Sequence, residues 1–166
     1  MARNTGKFIE KQVGKALTSM LGKECVAVRL HDTKSAAFFL PPSPADFMGL
    51  FKGGIPVIIE AKSSDENTTF TDCRVKDYVK PTQYAYHKMW INMGGVSMFI
   101  FHSILTKTVE FWDGKTVLEA YVDKWKDWDH VTHSTGQSAK DIQPMLLQQI
   151  NQYKVQQEDL RRGRTF

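Results

Sequence analysis

Ile55-Pro56-Val57-Ile58-Ile59-Glu60-Ala61-Lys62 is the stretch that decides how this chain folds. Its first five residues are almost wholly apolar, as in a strand buried on both faces at the centre of a sheet. Then charge intrudes. Alternate side chains of a strand share a face, so Glu60 and Lys62 project together while Ile59 and Ala61 point into the core. Upstream, Ala45 to Phe51 reads as a second strand, joined to the first through Lys52-Gly53-Gly54, whose glycines supply the positive φ values of a hairpin turn. Asp46, in Pro44-Ala45-Asp46, begins that strand and is expected to lie beside Glu60.

Working outward, Thr5 to Leu21 repeats Phe8, Ile9, Val13, Ala16, Leu17, Met20 and Leu21 at helical spacing, and Gly22 stops the helix. Cys25 to Leu30 reads as a strand. The segment from Asp32 ends in Pro41-Pro42-Ser43-Pro44, which no helix accommodates. Ser63 to Asp77 is a polar connection, and Pro81 to Met93 is a helix ended by Gly94-Gly95. Val96 to Phe101 and Thr108 to Trp112 are strands, with Asp113-Gly114 a turn. Thr116 to Trp128 is expected to be helical, His130 to Gly136 a loop, and Ser138 to Arg162 a Gln-rich helix. This order predicts an α/β fold in one domain, with its core over about 5–128 and a basic helical tail over about 138–166.

With 166 residues and 42% hydrophobic content, one core can be buried without cross-links. Cys25 and Cys73 lie far apart without a Cys-x-x-Cys partner, which argues against a disulfide framework or a zinc knuckle. The start of the chain carries no long apolar run, so a cytoplasmic protein that does not enter a membrane is expected. A net charge of +4 favours a polyanionic partner. Arg3, Lys7, Lys11 and Lys15 recur at helical spacing, and Arg161, Arg162 and Arg164 stand near the end of the sequence. Each group also reads as a solvated face or tail.

The chemistry rests on two carboxylates and an ammonium at one end of a small sheet. Crowded like charges repel, and burial worsens this, so a cation is expected among them. Oxygen ligands without imidazole or thiolate suit Mg²⁺, with Mn²⁺ as a substitute, and such an ion fits phosphodiester hydrolysis. Lys62 would orient water or stabilise developing charge. The plain alternative is an exposed Glu60–Lys62 ion pair, which the apolar run before it argues against.

With Pro44-Ala45-Asp46 followed by Glu60-Ala61-Lys62, the chain resembles the PD-(D/E)XK nucleases. Gly6 followed by Glu10, the Phe51-Lys52-Gly53-Gly54 hairpin and Gln83 in a later helix resemble Holliday-junction resolvases of the RecU, phage and archaeal type, over roughly Gly6 to Phe101. The resemblance implies a restriction-endonuclease-like fold with a central mixed β-sheet flanked by helices, Mg²⁺-dependent paired nicking of four-way DNA junctions, a homodimer, and roles in recombination and repair. Carried over residue by residue, it makes Asp46, Glu60, Glu10 and the Ala61 carbonyl metal ligands, Lys62 the water-positioning lysine, and Gln83 an assisting residue. Arg3, Lys7, Lys11, Arg29, Lys34, Lys52 and Lys80 are the candidates for DNA contact.

Rival readings keep the fold but change the activity, to a nuclease of flaps, ends or a short sequence, or to a non-catalytic DNA-binding accessory protein. On their own, Glu10 and Gln83 are ordinary helix-surface residues. Asp129, His130 and His133 read as a surface loop, not a zinc site. Trp112, Tyr121, Trp125 and Trp128 are expected to pack against the sheet.

Overall fold

A computed structural model describes residues 6–30, 43–64, 67, 74–122, 132–134 and 136–163. Among the described residues six strands form one sheet in sequence order: β1 (Cys25–Arg29), β2 (Phe47–Phe51), β3 (Ile55–Ser63), β4 (Val96–Ser103), β5 (Thr108–Asp113) and β6 (Thr132–Ser134). The helices among the described residues are α1 (Gly6–Ser19), α2 (Val75–Tyr78), α3 (Pro81–Asn92), α4 (Gly114–Val122) and α5 (Ala139–Arg161). The α/β class agrees with the sequence pattern, and the mixed sheet flanked by helices with the expectation drawn from the resemblance.

β3 is central, as its apolar run requires, with β2 antiparallel on one side and β4 parallel on the other. The parallel neighbour is reached through α3, the crossover such a pair needs. Every residue of β4 is buried. Alternation along β3 divides the core in two. Val57, Ile59 and Ala61 face α1 and α5 in one cluster with Ile9, Val13 and Ile142, while the opposite face of β4 and β5 gives Phe99, Phe101 and Trp112 to a second cluster with α2 and α4. Gly53 and Gly54 turn the β2–β3 hairpin at φ of 93° and 76°, a region that costs a side chain-bearing residue energy.

Several expectations need correction. The strand expected from Ala45 starts at Phe47, and the helix expected from Thr116 starts at Gly114, so Asp113-Gly114 is no free turn. Asp113 instead accepts the N–H groups of Lys115 and Thr116, capping α4 where a turn residue would do the same local work. The segment expected as loop from His130 to Gly136 contains β6, whose backbone pairs with β5. Its pairing partner is too distant in sequence for local pattern to reveal. The connection after Ser63 includes α2. Trp112 is buried and Tyr121 stacks on Tyr84 at 4.3 Å, as expected of packing aromatics. Cys25 is a buried free thiol; Cys73, Trp125, Trp128, Asp129 and His130, and the side chain of His133, lie outside the described residues. Among those residues no helix is long and apolar enough to cross a membrane.

Candidate active site

β3 outruns β2. Their register ends at Phe47 with Ile59, so Glu60 to Ser63 continue beside β4 alone. Asp46 stands at this fork: its N–H donates to the Ile59 carbonyl at 3.2 Å, and its Oδ2 accepts the Ala61 N–H at 2.8 Å. Within a strand a residue's N–H and C=O leave on the same side. The Ala61 carbonyl therefore also points toward the Asp46 side of β3.

Glu60 and Lys62 share a face, as alternation demands, and form an ion pair. This pair is no surface feature: Glu60 is 0% exposed, and the Lys62 side chain 21%. The same Glu60 oxygen, Oε1, accepts a hydrogen bond from Gln83 Nε2 at 2.5 Å. Gln83 is itself held, since its Oε1 accepts the backbone N–H of Lys80 at the start of α3. Glu60 Oε2 is left buried with no hydrogen-bond partner.

The electrostatics follow from this crowding. Burial pushes the Glu60 carboxyl up to about 7, the nearby Asp46 charge pushes the same way, and Lys62 opposes both. Burial likewise raises Asp46 to about 6, against the Ala61 N–H, with Glu10 adding to the rise and Lys62 and Arg29 resisting it. Both carboxyls are raised first by burial and then by a neighbouring acid, Asp46 acting on Glu60 and Glu10 on Asp46, and an added cation would favour their ionised forms.

Glu10 reaches the site from the opposite face of the sheet. Its Oε2 accepts Arg29 Nη2 at 2.5 Å, so the first helix supplies a paired carboxylate rather than a free ligand. Among the described residues no three of His, Cys, Asp and Glu gather closely enough to enclose a metal. The groups that could supply direct donors to a cation are Asp46, the orphaned Glu60 oxygen and the Ala61 carbonyl, with Glu10 as an electrostatic neighbour. One or two carboxylates with water completing the shell is how proteins commonly hold Mg²⁺, so these residues fit such an ion.

Of the cations expected near DNA, Lys7, Lys11 and Arg29 line one groove between α1 and β1, and Lys80 is exposed beside the Gln83 clamp. Lys52 is not brought there: it sits in the β2–β3 turn, five β3 residues and roughly 17 Å from Glu60 at ordinary strand rise. Arg161 and Arg162 also fall at the far end, because α5 runs there, anchored by Tyr153 donating to the Gly94 carbonyl at 2.7 Å. Arg3, Lys34 and Arg164 lie outside the described residues.

Sequence reading passed over His87. It is fully buried one turn after Gln83, its Nδ1 is 2.7 Å from Ser97 Oγ, and its Nε2 has no partner. The four-residue step from Gln83 to His87 was the available signal, since it puts both side chains on the sheet-facing side of α3. Set against models of known families and against curated proteins, the chain matches none.

Proposed function

We propose that this chain is a divalent-metal-dependent DNA endonuclease of the restriction-endonuclease-like fold, acting as a homodimer that nicks four-way junctions in pairs. The observation that carries the nuclease reading is the partnerless, fully buried Oε2 of Glu60 beside the carboxylate of Asp46. Leaving a carboxylate oxygen so costs several kcal/mol unless something positive completes it, on the order of the desolvation penalty of one ion. Junction selectivity and dimerisation rest on the resemblance of Gly6, Glu10, Asp46, Glu60, Ala61, Lys62 and Gln83 to the resolvases.

Asp46 and Glu60 would hold Mg²⁺, or Mn²⁺ in its place, with the Ala61 carbonyl. When bound, the ion supplies charge neutralisation for a scissile phosphate and acidifies water. The protein's own groups do the positioning. Gln83 and Lys62 fix Oε1 of Glu60 and so aim Oε2 outward from the clamp. The Ala61 N–H fixes one oxygen of Asp46. Lys62, whose side chain is partly open to solvent, is the donor available to orient an attacking water or to meet negative charge developing on phosphate. The Glu10–Arg29 pair adds a guanidinium beside the site that can turn to a phosphate.

Purified protein incubated with Mg²⁺ and labelled four-way junctions, flaps and linear duplexes tests this. Symmetrically placed paired nicks in the junction, at rates well above cutting of the other substrates, are expected. Equal cutting of all three defeats junction selectivity, and junction binding without metal-dependent cutting makes the chain an accessory protein.

A further inference from the structure

Between α1 and the edge strand β1 runs a groove of about 880 Å³ that begins at the Glu10–Arg29 pair and leads away from Asp46. Lys7, Lys11 and Lys15 stand along it on one helix, four residues apart and exposed. Among the described residues none of the three lysines has an ion-pair partner, and Glu10, the single acid in the groove, is already taken by Arg29. The row spans eight residues, about 12 Å of helix. That length covers three or four successive phosphates of one strand of a duplex, which carries one per about 3.4 Å of axis.

The groove has a floor as well as a charged wall. Gly14 sits mid-helix, where glycine costs about 1 kcal/mol relative to alanine. A Cβ there would stand 3.5 Å from the Phe47 ring, an ordinary contact, so packing does not demand the glycine. What its bareness does is keep the helix backbone low over the buried Phe47 ring, at the base of the groove. A helix-weakening residue where alanine would fit gives the groove a low floor over which something can lie.

We propose that this groove holds the sugar-phosphate backbone of a DNA strand, Lys7, Lys11 and Lys15 meeting successive phosphates while Arg29 hands the strand toward Asp46 and Glu60. This rests on the nuclease reading for its ligand and extends it with a path and a direction. Charge complementarity selects the occupant: a row of unpaired ammonium groups at a regular step suits a linear polyanion. Lys15, absent from the sequence-derived set of DNA contacts, joins it because the groove continues past Lys11.

The test is binding of a fluorescein-labelled duplex of arbitrary sequence, by anisotropy without divalent ion, across a salt series. Lys11→Gln with Lys15→Gln should weaken binding and lower the slope of log affinity against log salt by about 1.8, or 0.9 for each phosphate no longer neutralised. Lys88→Gln with Lys115→Gln removes the same charge from the opposite side of the sheet and should leave the slope near that of the unsubstituted protein. Gly14→Met should weaken binding by filling the groove without lowering the melting temperature, since it replaces a poor helix former. The proposal is overturned if the unsubstituted protein binds no duplex, or if the Lys11 and Lys15 pair changes the slope no more than the control pair. A slope that falls as expected in a protein that cuts nothing with Mg²⁺ leaves the groove standing and removes the nuclease reading instead.

Discussion

Two side chains one turn apart on α3 each reach down to the sheet, and each leaves one polar atom of the pair it forms without a partner. Gln83 donates to Glu60, whose Oε2 is orphaned; His87 meets Ser97, and its own Nε2 is orphaned. The surroundings separate them. Glu60 lies where β3 has lost β2, next to a second carboxylate and an ammonium. His87 is sealed against the Phe99 ring at 4.3 Å, and burial, with Lys62 nearby, drives it down to about 3, so it is neutral. A neutral orphan costs about 1–3 kcal/mol and can simply be endured, whereas a buried carboxylate costs several, and Lys62 meets only the Oε1 of Glu60. Only the first of these two places therefore reads as a site for a cation.

Breaking the charged member should have the largest effect. Asp46→Asn keeps an oxygen for the Ala61 N–H but removes one charge, and cleavage with Mg²⁺ should fall by on the order of a thousandfold, beyond the roughly 10–100-fold typical of an outer partner of a metal ligand. DNA affinity without metal should hold or rise slightly, because a charge that repels phosphate is gone. Retained cleavage in a folded Asp46→Asn protein would refute the assignment.

The pH response sharpens the contrast, because the two places pull in opposite directions. Asp46 and Glu60 have folded-state pKa values raised from 3.8 to about 6 and from 4.5 to about 7. Their share of stability is complete below about pH 4 and is lost as pH climbs through 6 and 7, at most about 6 kcal/mol in all. His87, lowered from 6.5, contributes stability that is present above pH 6.5 and lost as pH falls toward 3. Urea unfolding with chelator at pH 6.5 and pH 8 reads the carboxylates most cleanly, and Asp46→Asn should flatten the decline between them. Added Mg²⁺ should stabilise more at pH 8 than at pH 6, since binding releases the shared protons. A stabilisation by Mg²⁺ that does not change with pH would contradict the raised carboxyls.

The smallest effects come from the helix side of each pair. Gln83→Leu should lower cleavage by about 10–100-fold by freeing Glu60 Oε1 from its clamp. His87→Leu should instead lower stability by about 1–3 kcal/mol, leaving Ser97 Oγ unpaired, and keep cleavage by the folded protein within tenfold. Reversed outcomes in these two variants would mean that His87, not Gln83, supports the chemistry.

Much of this was legible in the residues because the signals are local. The apolar run Ile55 to Ile59, the glycines of the β2–β3 turn and the alternation that pairs Glu60 with Lys62 all lie within ten residues of one another. The periodicity of α1 did the same for its buried face. Where reading failed, as at β6 and the start of α4, the deciding interaction was a strand partner more than twenty residues away or a side-chain cap that resembles a turn.

By itself the sequence determined that a buried strand ends in an acid and a lysine on one face, with an aspartate across a hairpin. Steric alternation and turn chemistry act over a few residues, so no tertiary information is needed for that. Only the tertiary structure decided that Glu60 is wholly enclosed, that Gln83, 23 residues on, grips one of its oxygens while the other is left bare, and that Arg29 claims Glu10. Those facts depend on which elements pack together and in what register, and that choice is made by the summed burial of the whole chain.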